Sequence, residues 1–222
     1  MNVNFCYRLV DIIVNKGQNG YINPQTFQDA MNQAQNQFLD LLLGEFQQYK
    51  PGLPTPTVQF GNNRIVRQSL TPVIYGYILN PDSTGFAPYP GDFQEVDAMW
   101  SLYGYNKLKY VQQEYLSSYY NSQIDPIPQY PIYVVEQLGF RFFPNNIGQT
   151  KLNYVQTPPR IIWGYTEVVP GQPVYNPATS VDPVWYDSDM MYIIARALRM
   201  FGVNLQAQEV NAYAQEMIFK MQ

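Results

Sequence analysis

The sequence predicts an α+β fold in which helices from both ends of the chain form a bundle around a central β-rich insertion. Three observations lead there. Residues 1–50 and 186–222 carry apolar side chains at helical spacing, whereas residues 51–170 carry short apolar runs separated by turn clusters. Pro51, Pro54, Pro56, Pro72, Pro81, Pro88 and Pro90 exclude long helices from the first part of that middle region. No repeat and no long linker divides the 222 residues, so one domain is expected. It has N-terminal helices over 1–52, a hairpin or sandwich-like β insertion with a short helix over 53–170, and C-terminal helices over 186–222.

Taken in order, Phe5, Leu9, Ile12 and Ile13 place an amphipathic helix over Asn4 to Val14, which the glycine-containing run from Asn15 to Gly20 stops. Asn23 and Pro24 then read as N-cap and first helical residue. From there Phe27, Met31, Ala34, Phe38, Leu41, Leu42 and Phe46 keep a helical period until Lys50. The opposite face of this helix is nearly all amide (Gln28, Asn32, Gln35, Asn36, Gln47), a composition compatible with burial in an assembly.

Strands are expected at Val58 to Phe60, Arg64 to Leu70, Val73 to Leu79, Phe93 to Trp100 and Lys107 to Gln113, with a short helix at Glu114 to Gln123. Ile132 to Val135 and Phe140 to Phe143 flank a turn at Gln137 to Gly139, the clearest hairpin, to which Lys151 to Val155 can add a third strand. Arg160 to Val168 is one more strand. Asp187 or Ser188 caps a helix with Met191, Ile194, Ala195, Leu198 and Phe201 inward and Gly202 at its end. A last helix starts at Leu205.

Composition excludes much chemistry. With no histidine, the chain cannot run a Ser-His or Cys-His relay or build a histidine-based metal site. The lone Cys6 can form neither an intramolecular disulfide nor a thiolate cluster, and reads as a small buried hydrophobe. Net charge is -4, and no basic stripe marks a nucleic-acid binder; Lys107 with Lys109, and Arg64 with Arg67, read as solvated faces. Charged residues are 14% of the chain, against roughly 25% in typical domains. In their place stand 23 Gln, 18 Asn and 20 Tyr, side chains suited to wet protein–protein contact. No apolar run approaches a bilayer span and no cationic, apolar leader pattern opens the sequence, so neither membrane insertion nor export is expected.

No nucleotide-binding, hydrolase, zinc-protease or EF-hand motif is present. Asp182, Asp187 and Asp189 lack the spacing and central glycine of a calcium loop and are expected to cap a helix. Asp92, Glu95 and Asp97 could supply a glycosidase pair, with surface solvation the default. Tyr119, Tyr120, Trp163 and Trp185 could stack sugars or bases, although in so aromatic a chain core packing is the first expectation.

The order of short motifs is more specific. Asp11 to Lys16, Gly20 to Pro24 and Phe27 precede the Gln-rich helix. Pro131 to Tyr133, Gly139 to Phe142, Pro144, Leu152 to Val155, Pro158-Pro159 and Trp163 to Tyr165 follow in the middle. Tyr175 to Pro177, Thr179 to Asp182, Phe201 to Leu205 and Asn211 to Ala214 come at the end. This order resembles the head–tail connector (adaptor or ring) proteins of short-tailed bacteriophages, most closely those of crAss-like phages. The stretch Pro54 to Asp92 is longer and richer in proline than the family pattern.

The resemblance implies a non-enzymatic virion protein, made in the host bacterial cytoplasm and placed at the head–tail junction. There it would form a homo-oligomeric ring, commonly of twelve subunits, between the portal protein and other tail ring or tube proteins. Packaged DNA would pass through without sequence-specific binding, which an acidic surface favours. It implies no catalytic, cofactor or metal residues and no membrane. A carbohydrate- or receptor-binding tail component is the alternative that the composition allows. Since only carboxylates could ligate a metal here, a chelator is expected to leave the melting temperature unchanged. A fall of several degrees would contradict this.

Overall fold

The computed structural model describes residues 1–16, 22–47, 66–121, 125–169 and 171–201. Over these the fold is α+β. The chain forms two compact units: residues 73–157, and the segments 1–72 and 158–222 that flank them. The expected strand at Val58 to Phe60 and the helix from Leu205, with Gly202 at the end of its predecessor, lie outside the described residues.

The flanking unit is built on α1 (Val3–Lys16), α2 (Pro24–Gln47) and, from the far end of the chain, α4 (Asp187–Met200). Asn23 caps α2 as its sequence predicts, accepting the Gln25 amide at 2.9 Å, and Pro24 is the first helical residue. Phe27, Met31, Ala34, Phe38 and Leu42 are buried, and α2 packs against α4 through this face.

Both shorter helices are rotated from their sequence reading. In α1 the buried residues are Val3, Cys6, Tyr7, Val10 and Val14, while Phe5 and Ile12 are more than half exposed. In α4 the buried apolar residues are Met190, Ile193, Ile194, Ala197 and Leu198: Ile194 and Leu198 face inward as expected, whereas Met191 is exposed and Ala195 half-buried. Each helix contains adjacent apolar residues (Cys6-Tyr7, Ile12-Ile13, Met190-Met191, Ile193-Ile194), so two neighbouring stripes fit a helical period equally well. Partners decide between them. Tyr7 stacks on Trp163 at 4.2 Å, meets Phe27 edge-on at 5.1 Å and donates to the Ile22 carbonyl at 3.0 Å, which fixes the rotation of α1. The α4 N-cap is Tyr186, with no side-chain cap bond; Asp187 and Ser188 lie inside the first turn instead.

Residues 160–168 also differ from expectation. Only Tyr165–Val169 is a strand (β8), paired with Gln172–Tyr175 (β9), which the sequence reading did not anticipate. Ahead of it, residues 159–163 run extended against the amide face of α2. Asn32 donates from Nδ2 to the Ile161 carbonyl at 2.9 Å and accepts the Ile161 amide at 2.8 Å. Gln28 donates to the Trp163 carbonyl and Gln35 to the Pro159 carbonyl, both at 3.1 Å. The Trp185 indole N–H donates to Gln35 Oε1 at 3.3 Å. Asn32 and Gln35 are thus buried and Gln28 half-buried within the chain's own fold, whereas Asn36 is exposed and the Gln47 side chain lies outside the described residues. Residues 66–70, read as part of a strand, are helical: Val66 and Leu70 are both buried one turn apart, and this placement overrides their β propensity.

Residues 73–157 form two sheets. One has the order β1 (Ile74–Leu79), β7 (Thr150–Gln156), β3 (Phe93–Ser101), all antiparallel. The other has the order β2 (Phe86–Pro88), β6 (Gly139–Phe143), β5 (Ile132–Glu136), β4 (Lys109–Tyr110), with β4 parallel to β5. Leu79, Met99, Leu152 and Tyr154 from the first sheet and Ala87, Tyr133, Phe140 and Phe142 from the second share one buried cluster, so this unit is a small sandwich. Burial of each fully enclosed Phe contributes about 1.5–3 kcal/mol.

The predicted hairpin is present, with Glu136 opposite Gly139 across the loop Gln137-Leu138. Gly139 is required: a Cβ there would lie 2.2 Å from the Ala87 carbonyl oxygen of β2. However, β7 does not extend this hairpin. It is the central strand of the opposite sheet, because Leu152 and Tyr154 complete the core from the other side. The expected strand Lys107 to Gln113 is regular only at Lys109–Tyr110, and the short helix α3 is Leu116–Asn121, entered through a 3-10 turn at Gln113–Tyr115. Strand β2 was not anticipated.

The amide contacts set a stability test. Replacing Asn32 by Leu strands the buried Ile161 N–H and C=O and should cost about 3 kcal/mol in denaturant unfolding. Replacing the exposed Asn36 by Ala should change stability by no more than about 0.5 kcal/mol. Equal effects would show that the buried amides do not hold the segment.

Candidate functional site

Most side chains that sequence alone offers for chemistry are consumed by the fold. Cys6 is fully buried in α1, and burial pushes its thiol up to about 11, the opposite of nucleophile activation. Trp163 is buried between Tyr7, Tyr165 and Tyr175, and its indole N–H donates to Asn4 Oδ1 at 3.2 Å; Trp185 is buried against Phe38. Neither ring can stack a ligand. Tyr119 is half-buried under Lys109, whose Nζ lies 5.8 Å from its ring centre. The Tyr120 side chain and Arg64 lie outside the described residues, while Lys107 pairs with Trp100 in a β-bridge.

The acidic residues are engaged by the fold likewise. Asp182 accepts the Val3 amide at 2.8 Å and so caps α1; Asp187 contacts the Met1 amine. Asp92 accepts the Tyr154 hydroxyl at 2.8 Å, and burial together with that carboxylate pushes the Tyr154 phenol up to about 12. Glu95 and Asp97 ride on β3, where the register shifts between Val96 and Ala98. Among the described residues no three His, Cys, Asp or Glu side chains are grouped to hold a metal ion, and no helix is long and apolar enough to cross a membrane.

What the sandwich presents to its surroundings is tyrosine. Tyr103 is 81% exposed, Tyr105 78% and Tyr130 75%. The turn between β3 and Lys107 requires two consecutive left-handed residues, Gly104 (φ 85°) and Tyr105 (φ 53°). For Tyr105 this conformation costs about 1 kcal/mol or more. The Ser101 amide bonds the Asn106 carbonyl at 2.9 Å, and Ser101 Oγ bonds both the amide and the carbonyl of Tyr103 at 3.1 Å. Asn106 Nδ2 then donates to the Pro128 carbonyl at 3.2 Å, tying this turn to the Ile127–Tyr130 turn. Tyr103, Tyr105, Ile127 and Tyr130 therefore stand on two linked loops with no charge among them. Such a surface offers rigid rings with polar tips and little desolvation cost. The run Ser-Leu-Tyr-Gly-Tyr-Asn between two strands was its sequence signal, and the sequence reading passed over it.

A second feature lies beside the β5–β6 turn. Phe86, Gln113, Glu136, Gln137 and Leu138 line an open depression of about 360 Å³. Its carboxylate is already paired: Arg141 reaches Glu136 through Nε at 2.5 Å and Nη2 at 3.1 Å, and lies over the Phe86 ring. The hydrogen bond and charge of Glu136 hold the Arg141 guanidinium above its ordinary value, and the pairing occupies both side chains.

Among the described residues Asp11 Oδ1, Thr150 Oγ1 and Asp189 Oδ2 are buried without a hydrogen-bond partner, and the last belongs to a carboxyl that burial perturbs. Asp189 is 7% exposed, its Oδ1 is 3.4 Å from Ser69 Oγ, and its Oδ2 has no partner among the described residues. Burial raises its carboxyl above the usual range, against smaller opposing effects of Ser69 and Ser188. The folded state thus holds this proton more tightly than the unfolded one. The contribution is complete below the unfolded value of about 3.9 and is lost as pH rises through the folded value. Asp189→Asn is expected to melt higher than the parent at pH 7, with the difference gone near pH 4. A variant less stable at pH 7 would mean that the ionised form is the one the fold needs.

No protein-family model matches this chain, and no curated protein does either.

Proposed function

We propose that this protein is a non-enzymatic structural component of a phage virion, a ring-forming connector that joins portal to tail at the head–tail junction. The ordered series of motifs from Asp11 to Ala214 carries this reading. The fate of the chemically capable side chains supports it: Cys6, Trp163, Trp185, Asp92 and Asp182 serve packing or capping. The uncharged tyrosine loops at Tyr103, Tyr105 and Tyr130 supply the type of surface that repeated protein contacts use. The net charge of -4 suits a wall along which DNA slides without phosphate contacts.

A carbohydrate- or receptor-binding tail component is the second reading. The depression with Phe86, Gln113 and Gln137 favours it, since an aromatic ring beside amides can hold a sugar.

A ring contact is heterologous, one face of each subunit meeting a different face of the next. Portal supplies the template and raises the local concentration of neighbours. The isolated protein is therefore expected to be a monomer or small oligomer at micromolar concentration and to form a complete ring only on assembled portal or the next tail component. Light scattering, followed by electron microscopy of the complex, reads this directly. A protein that ignores portal yet binds a glycan array would replace the connector reading with the second one.

A further inference from the structure

The two edges of the β1-β7-β3 sheet are built differently. At the β3 edge, register shifts fall between Phe93 and Glu95 and between Val96 and Ala98. Two carboxylates, Glu95 and Asp97, sit along it. Its end is covered by the chain itself, through the Trp100–Lys107 bridge and the Leu108 amide bonding the Met99 carbonyl at 2.9 Å. Bulges, charges and self-cover are the devices by which proteins prevent strand addition. Among the described residues, strand β1 has none of them. Its six residues, Ile-Tyr-Gly-Tyr-Ile-Leu, contain no charge and no proline, and among the described residues they pair on one side only, with β7. Tyr75 is 57% exposed, Tyr77 49% and Ile78 48%.

We propose that the edge of β1 left unpaired among the described residues pairs antiparallel with β1 of a second copy of this chain, in the register centred on Gly76. The sequence of the strand selects both occupant and register. In a two-fold pair whose axis is normal to the sheet, directly opposite residues must share a face, so the centre falls on a residue. Centring on Gly76 sets Tyr75 against Tyr77 of the second copy twice on one face. On the other face it sets Ile74 against Ile78 of the second copy twice, flanking the two glycines. Aromatic and β-branched pairs are the favourable cross-strand neighbours, and an uncharged strand does not repel its own copy. Centring on Tyr77 instead wastes Leu79, which is committed to the core. With β3 blocked, growth stops at six strands, so the product is a discrete dimer and not a fibre.

This contact goes beyond the connector reading and does not rest on it. A two-fold pair cannot persist within a cyclic ring, so it belongs to the free protein. The test therefore uses the full chain alone, without portal. Sedimentation velocity from low micromolar to several hundred micromolar should move from one to two chain masses. Ile78→Lys should weaken the dimer by at least about tenfold, while Val174→Lys, a lysine on an equally exposed residue of β9, should leave it intact. Amide hydrogen exchange in Ile74–Leu79 of the unaltered chain should slow at the high concentration. A chain that stays single throughout, an Ile78→Lys variant that dimerises as tightly as its parent, or equal exchange at both concentrations overturns the proposal.

Discussion

The flanking unit depends on the contact between the amide stripe of α2 and the extended segment 159–163. Sheets normally satisfy extended backbone by neighbouring strands on both edges, but here a helix does so on one edge with side chains, while Ile162 on the other edge forms a single backbone bridge with Val181. The geometry permits it. Residues 28 to 35 rise about 10 Å along the helix axis, and residues 159 to 163 span about 13 Å when extended. Flexible glutamines at the two ends absorb the difference, and the short Asn32 sits in the middle, where the match is closest. Asn32 both donates to and accepts from Ile161, which no aliphatic, hydroxyl or ionised side chain of that length can do in the same geometry. From this segment Trp163 reaches Tyr7 of α1, and through Gln35 the same stripe holds Trp185 ahead of α4. One line of amides thus ties α1, α2 and the approach to α4 together.

That arrangement explains which parts of the fold were legible in the sequence. The α2 helix was, because Asn23-Pro24 and an apolar period fix its start and the inner face from Phe27 to Leu42 without reference to any other segment, with Leu41 alone among the described side chains of that period exposed. Its amide face stood out too, yet its partner did not, since nothing in the order of residues says which distant segment lies opposite. Ile161-Ile162-Trp163 satisfied the pattern of a strand and was read as one, but only Ile162 pairs with backbone, in a single bridge to Val181, while Ile161 and the Trp163 carbonyl bond side chains of α2. The rotations of α1 and α4 failed for a simpler reason: apolar doublets leave the phase of a helix open until a neighbour chooses. In the sandwich, the β5–β6 hairpin was local and therefore readable. The placement of β7 was not, because a strand that alternates correctly fits either sheet until the core is filled.

The candidate surface shows the same division. Tryptophans, the cysteine and the aspartates drew attention because their chemistry is specific, and the fold uses nearly all of them internally. Tyr103 and Tyr105 were invisible as a site because a tyrosine in a tyrosine-rich chain carries no signal by itself. What distinguishes them is backbone: the Gly104-Tyr105 turn holds both rings outward, and Asn106 fastens the turn to the next loop. That information lies in φ angles and in one side-chain hydrogen bond, neither of which has a spacing rule.

A common constraint runs through these features. With charged residues at 14% of the chain, polar requirements fall on amides, hydroxyls and phenols. Neutral groups can be buried at modest cost if each finds its partner, so they work equally well inside the fold, as in α2, and at a contact with another chain. They give little long-range attraction and little repulsion, which leaves specificity to short-range geometry: the register of a strand, the match of a ring to its neighbour, the closure of each hydrogen bond. A protein made this way cannot rely on charge to keep wrong partners off. Where it needs to block a contact, it must do so locally, and the edge of β3, with its bulges and its two carboxylates, is such a place. The uncharged edge of β1 is therefore informative, because the same sheet has a guard on one side and lacks it on the other.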